Sequence, residues 1–206
     1  MASVTSATQF TLPDIASYTS KFFQSKCNPH LHEAEARAHE WFDSYEIYSG
    51  MARERFFKSR FCLLASLCYP EADMKHIRPA MDFFLWVFAF DDMADIGEFR
   101  PEGLKRAVDI TMNALRDPDA VVPELKVIAT LQSFVNRMRL NGNPTVIQRF
   151  IDAQGDYNQA IIRENIKMAE RYLETIEEYT AARQDTSGVK QTFGKLTALE
   201  SIESTR

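Results

Sequence analysis

The chain has 206 residues and a net charge of −5, with 45 % apolar and 26 % charged residues. That is enough apolar material for one sizeable core, it excludes wholesale disorder, and the acidic balance argues against nucleic acid as a general partner. Seven glycines, eight prolines and short β-branched runs favour a single all-α domain over a sandwich or barrel.

Residues 1–13 read as a loose arm with no basic or apolar leader pattern. A first amphipathic helix is expected over 14–26, ending before Cys27-Asn28-Pro29. A second runs from about His32 to Tyr48, with Ala34, Ala38, Trp41, Phe42 and Tyr45 on one stripe and Gly50 as its stop. A third covers about Arg53–Leu67. A fourth starts after Asp73, carries Pro79 near its first turn and reaches about Asp95, with Gly97 and Pro101 closing it. The fifth covers 102–116 and the sixth 123–140, stopped by Asp117-Pro118-Asp119 and Asn141-Gly142-Asn143-Pro144. A long helix follows over 144–168. Thr175 and Glu178 have capping-box spacing, so a break at 170–174 and a short helix over 176–184 are expected. Asp185-Thr186-Ser187-Gly188 ends that helix.

The longest apolar run is about eight residues, against the ~20 that a membrane span needs. A soluble cytoplasmic protein is the expectation. Cys27, Cys62 and Cys68 have no metal-ligand spacing, and Cys62 and Cys68 read as reduced core thiols. His30, His32, His39 and His76 are scattered and read as surface or capping residues. Arg53, Arg55 and Arg78 read as members of ordinary ion pairs.

The segment with most chemistry is Phe83-Phe84-Leu85-Trp86-Val87-Phe88-Ala89-Phe90 running into Asp91-Asp92-Met93-Ala94-Asp95. At roughly 100° per residue, Asp91 and Asp95 share a helix face with Phe84, Val87 and Phe88. Asp92 lies to the side, and Trp86 faces away. Acids four apart repel, acids at a helix C-terminus oppose the macrodipole, and an apolar wall strengthens both effects. A hard cation removes all three problems. Mg²⁺ takes one or two carboxylates and completes its shell with water and phosphate oxygens. An aromatic wall with a metal-diphosphate mouth is what ionising a prenyl diphosphate requires.

At these residues the chain resembles fungal class I terpene cyclases of the basidiomycete sesquiterpene synthase type. The likeness is carried in order by CNPHLHEAEARAHEWF at 27–42, IRPAMDFFLWVFAFDDMAD at 77–95 and IEEYTAARQDTSGVK at 176–190. The resemblance implies an all-α class I isoprenoid-synthase bundle. It implies that Asp91, Asp92 and Asp95 form the Mg²⁺ motif, with Asp91 the direct ligand, and that three ions bind in the complete fold. It implies that Arg183 contacts diphosphate at a helix break. The family usually has two consecutive arginines there, and this chain has Ala182-Arg183-Gln184, so Arg183 matches either one. The substrate implied is farnesyl diphosphate, converted to a sesquiterpene. A homodimer is compatible with the family.

The family also carries a second metal motif, an Asn/Asp, Ser/Thr, Glu triad at four-residue spacing, after that break. Nothing beyond Gly188 fits it, and the family's late Arg-Tyr pair is missing too. Asp156, Ala160 and Glu164 have the spacing but an alanine in the middle, and read as a solvated stripe. From about 191 to 206 the sequence reads as a divergent tail. The expectation is a bundle incomplete at its C-terminal end, inactive if the missing walls are essential. Two rivals stand beside it: a non-catalytic helical fragment or interaction protein, and a prenyl transferase of the same fold. The latter needs a second aspartate-rich motif, which the chain lacks.

Overall fold

The computed structural model describes residues 11–95 and 101–192. Every regular element among them is an α-helix: α1 (Ile15–Thr19), α2 (Leu31–Asp43), α3 (Gly50–Lys58), α4 (Phe61–Cys68), α5 (Met74–Asp95), α6 (Pro101–Arg116), α7 (Lys126–Asn141), α8 (Pro144–Ala169) and α9 (Ile176–Thr186). No helix among them is long and apolar enough to cross a membrane. The loose arm and divergent tail fall largely outside the described residues, as does Gly97.

The central element is α5, which packs on α2, α4 and α7; α6 bridges α7 and α8, and α9 lies on α8. This explains the unbroken apolar run. Met81 to Trp86, Ala89 and Phe90 are all buried, so α5 has no solvent side over its middle turns and needs no single stripe. Trp86 packs on Phe83 and Phe90, with ring centroids 6.0 and 5.5 Å away, between helices as its position predicts. Pro79 sits in the second turn, where it removes one backbone donor. The Asp73 carboxylate caps the first turn by accepting from the His76 backbone N–H at 3.0 Å.

One charge lies inside this core. Asp82 is 0 % exposed and accepts from Arg78 Nε at 2.9 Å and Arg137 Nη2 at 2.5 Å. Arg137 also lies over the Trp41 ring, 4.7 Å from its centroid. Burial pushes the Asp82 carboxyl above its ordinary value, and the two guanidinium groups work against that push. A buried carboxylate is tolerable only with such partners. Arg53 is likewise committed, gripping Asp43 with contacts of 2.6–2.9 Å. The reading of Arg53 and Arg78 as ion-pair members holds.

Local signals place several helix ends well. Asn143 caps α8 by accepting from Thr145 N–H at 2.9 Å, with Pro144 in its first turn. The capping box of α9 is complete: Glu178 N–H donates to Thr175 Oγ1, and Thr175 N–H donates to Glu178 Oε2. Other ends differ from expectation. The helix expected over 14–26 shrinks to five residues because it buries nothing; Ile15, Tyr18, Phe22 and Phe23 are all exposed. So short a helix without packing is marginal. The second helix stops at Asp43, since Glu46 turns left-handed at φ 50°, and Gly50 opens α3 rather than closing α2. The expected 53–67 helix is split at Arg60, φ 55°. The turn sends Phe56 onto Phe42 (5.2 Å, stacked) and Phe61 onto Phe88 (4.0 Å, stacked). Those stacks favour the break over a continuous helix.

Candidate functional site

The last turns of α5, the C-terminal half of α8 and the end of α9 meet in a cleft of about 150 Å³. Asp91 and Arg183 both line it, although they are far apart in the chain. Ile161, Glu164 and Asn165 of α8 and Thr186 of α9 complete its main walls. Bringing Asp91 and Arg183 together is the work of two contacts, α5 reaching α8 through its last turns and α8 carrying α9.

Asp91 is half-buried, and the buried Tyr157 hydroxyl donates to its Oδ1 at 3.4 Å. Asp92 is exposed and accepts from the Tyr48 hydroxyl at 3.5 Å. Both contacts are long beside the short charged ones that Asp82 accepts. Asp95 closes α5, and its side chain lies outside the described residues. Arg183 stands in the last turn of α9, where a cation suits the helix dipole, and Nη1 donates to Thr186 Oγ1 at 3.1 Å. It makes no ion pair among the described residues, so its guanidinium is uncommitted to any carboxylate there. Ser187 caps α9, and Gly188 takes a left-handed φ of 70°, which makes the helix break real.

Phe84, Val87 and Phe88 do not line this cleft. Phe84 is buried with its ring edge-on to Phe83 at 5.8 Å, and the half-buried Phe88 lies flat on Phe61. This apolar part of α5 thus lies outside the lining of the cleft that holds Asp91 and Arg183. Glu164 corrects another expectation. It lines the cleft, and Ala160 is buried, so Asp156-Ala160-Glu164 is not a solvated stripe; only Asp156 is exposed. The reason is that α8 is sandwiched by α6, α7 and α9, and the three residues wrap from its outer to its inner side.

Tyr157, Glu164 and Asn165 were not singled out by residue type. A signal was present in their spacing. Tyr157, Ile161, Glu164 and Met168 recur at four, three and four residues, one helix face on which a single carboxylate interrupts otherwise apolar or aromatic residues. That face meets Asp91. The donors it adds are hard: the carboxylates of Asp91 and Glu164 and the Asn165 amide oxygen. Such a set fits Mg²⁺ and not a soft metal.

Comparison with known proteins gives these residues a family. Residues 82–205 match the family described as terpene synthase family 2, C-terminal metal binding. Sesquiterpene synthase 3 of Postia placenta is 30 % identical over 171 residues, which is 83 % of this chain and 46 % of the relative. The Delta(6)-protoilludene synthase of Armillaria gallica is 27 % identical, covering 82 % of this chain and 49 % of the relative. The chain thus spans about half the length of the curated relatives it matches. Among solved structures, the SVS_A2 protein from ancestral sequence reconstruction superposes with a TM-score of 0.79 at 25 % identity, over 85 % of this chain and 55 % of that one. The linalool/nerolidol synthase of Streptomyces clavuligerus superposes with a TM-score of 0.73 at 21 % identity, over 84 % and 58 %, a likeness of fold. With the match covering more than half of its residues, the chain belongs to the terpene synthase family and has the class I all-α fold.

Proposed function

We propose that this chain carries the diphosphate-ionising part of a Mg²⁺-dependent sesquiterpene cyclase that acts on farnesyl diphosphate. The observation that carries the reading is the meeting of Asp91 and Arg183 in one cleft. Asp91, with Asp92 and Asp95 beside it and Glu164 opposite, would hold the metal. Mg²⁺, when bound, neutralises the charge that builds on the leaving diphosphate. Arg183 reaches the same phosphate oxygens with its planar fork of donors. Tyr157 orients the Asp91 carboxylate. Phe84, Val87 and Phe88 are proposed as the apolar wall below, where aromatic faces favour a carbocation.

The cleft's size supports a role at the diphosphate end of the substrate. At about 150 Å³ it is smaller than the roughly 300–1,000 Å³ of ordinary ligand pockets. It accommodates a diphosphate head and its metal, and the prenyl chain needs walls beyond these residues. Binding and turnover are therefore tested separately. Mg²⁺ with inorganic diphosphate is expected to raise the melting temperature, an effect lost in Asp91→Asn and with EDTA. Incubation with farnesyl diphosphate and Mg²⁺, followed by gas chromatography of volatiles, reads turnover. A product that persists in Asp91→Asn, or binding unaffected by it, rules out the assignment of Asp91. Binding without product favours the non-catalytic reading of this chain.

A further inference from the structure

The cleft does not use a second cluster of metal-capable side chains. Glu35 and His39 are four residues apart on α2 and share a face. Cys62, in the first turn of α4, points at them from the neighbouring helix. One carboxylate oxygen, one imidazole nitrogen and the thiol sulfur all lie within 4.8 Å of one another. We propose that Glu35, His39 and Cys62 bind a Zn²⁺ ion that staples α2 to α4.

The donor chemistry selects the metal. One sulfur, one nitrogen and one oxygen ligand suit zinc, which is bound tetrahedrally at roughly 2.0–2.3 Å. Ligand atoms in such a site stand about 3.3–3.8 Å apart, so closure draws these groups in by about an ångström. Three protein ligands leave the fourth position to water. Mg²⁺ is disfavoured by the thiol and the imidazole.

The surroundings fit a bound dication. A thiolate, a carboxylate and a neutral imidazole balance its two charges, and a neutral assembly is less costly to bury than a bare charge. Burial holds His39 below its ordinary value, which leaves the imidazole in its metal-binding form at neutral pH. Burial and the neighbouring Glu35 carboxylate push the Cys62 thiol up, so it gives its proton to water only as the metal–sulfur bond forms. The nearby cations are already matched: Arg53 is held by Asp43, and Arg78 by Asp82. Glu35 makes no ion pair among the described residues. Phe57 covers the imidazole from one side, its ring centroid 4.3 Å away. Glu35 and His39 are only half-buried, which gives the ion a path in, whereas Cys62 is 0 % exposed and forms the floor. The beneficiary is α4, a helix of eight residues that follows a left-handed turn at Arg60.

Cobalt(II) is the probe, because a thiolate ligand gives it a charge-transfer band and tetrahedral geometry gives it intense visible bands. The chain with Cys27→Ser and Cys68→Ser, titrated with Co²⁺, is expected to develop both at one equivalent, and Zn²⁺ to bleach them. Zn²⁺ is expected to raise the melting temperature by several degrees where Mg²⁺ does not. Cys62→Ser removes the charge-transfer band. Should that buried substitution prevent folding, His39→Gln and Glu35→Gln carry the test, each weakening Co²⁺ affinity at least tenfold. Asp91→Asn leaves the bands unchanged, which separates this ion from the one in the cleft. Absence of the band at one equivalent, its survival in Cys62→Ser, or unchanged affinity in both helix variants overturns the proposal.

Discussion

Asp82 and Asp91 stand on the same helix, nine residues apart and so on opposite faces, and they live under different rules. Asp82 is fully buried and held by two guanidinium groups at 2.9 and 2.5 Å. Asp91 is half-buried at a cleft mouth, where a tyrosine hydroxyl approaches its Oδ1 only to 3.4 Å. The first carboxylate has short charged partners on α5 and α7, and its removal would strand them. The second faces a cleft that it shares with an arginine held by no carboxylate among the described residues. Full burial between two guanidinium groups marks the structural acid, and half-burial on the lining of a cleft marks the candidate chemical one.

The largest expected effect tests the structural side. Asp82→Ala leaves Arg78 and Arg137 without their shared anion. Breaking such a buried pair costs about 3–5 kcal/mol, which urea unfolding would report as a large drop in midpoint. Asp91→Ala is expected to lower the same midpoint less, because Asp91 is half-buried and water can reach the groups that the substitution leaves behind. Equal losses in the two variants would break the comparison and make Asp91 a structural residue.

A smaller effect sharpens the chemical side. Tyr157 is buried, and its hydroxyl is the described partner that ties α8 to Asp91. Tyr157→Phe keeps the ring and removes the hydroxyl's hydrogen bond to Asp91, which is worth about 0.5–1.5 kcal/mol. Its signature is functional: Mg²⁺ with diphosphate should still stabilise the variant, but at a several-fold higher midpoint concentration. Unchanged diphosphate binding would mean that Tyr157 only packs.

The contrast between these two acids was half visible in the sequence. Arg183 came only from the family resemblance, whereas Asp91 stood out because its motif is short and local, an apolar run ending in acids. The ends of α8 and α9 were legible for the same reason, since Asn143-Pro144 and Thr175 with Glu178 are local caps. Asp82 showed only half of its setting: Arg78 stands four residues before it, while Arg137 is on a different helix. Cys62 gave no sign, since it meets Glu35 and His39 only through the packing of α2 on α4, and His39 read as a surface or capping residue. Left-handed turns at Glu46 and Arg60 are equally silent; non-glycine residues adopt them when packing demands it. Those turns split the expected helices, and they set the aromatic stacks of Phe56 and Phe61.

A third carboxylate completes the series and carries the smallest effect. Asp43 is gripped by Arg53 as closely as Asp82 is by its partners, yet the side chains are 35 % and 45 % exposed. Hydrogen bonds from Arg53 hold the Asp43 carboxyl below its ordinary value. A depressed folded-state value stabilises the fold above the unfolded value, and that contribution fades as pH falls through the folded one. Solvent screening limits it to about 0.2–1 kcal/mol. Wild type and Asp43→Asn should therefore differ by a degree or two in melting temperature at pH 7, and the gap should close as the solution is acidified below the ordinary aspartate range. Added salt should narrow it at neutral pH as well, while the Asp82→Ala deficit stays nearly constant because a buried pair is shielded from ions. Geometry is comparable at Asp43 and Asp82, so a difference in salt response isolates burial as the variable. An Asp82 deficit that fell with salt as the Asp43 deficit does would show that distance, not burial, separates the two sites.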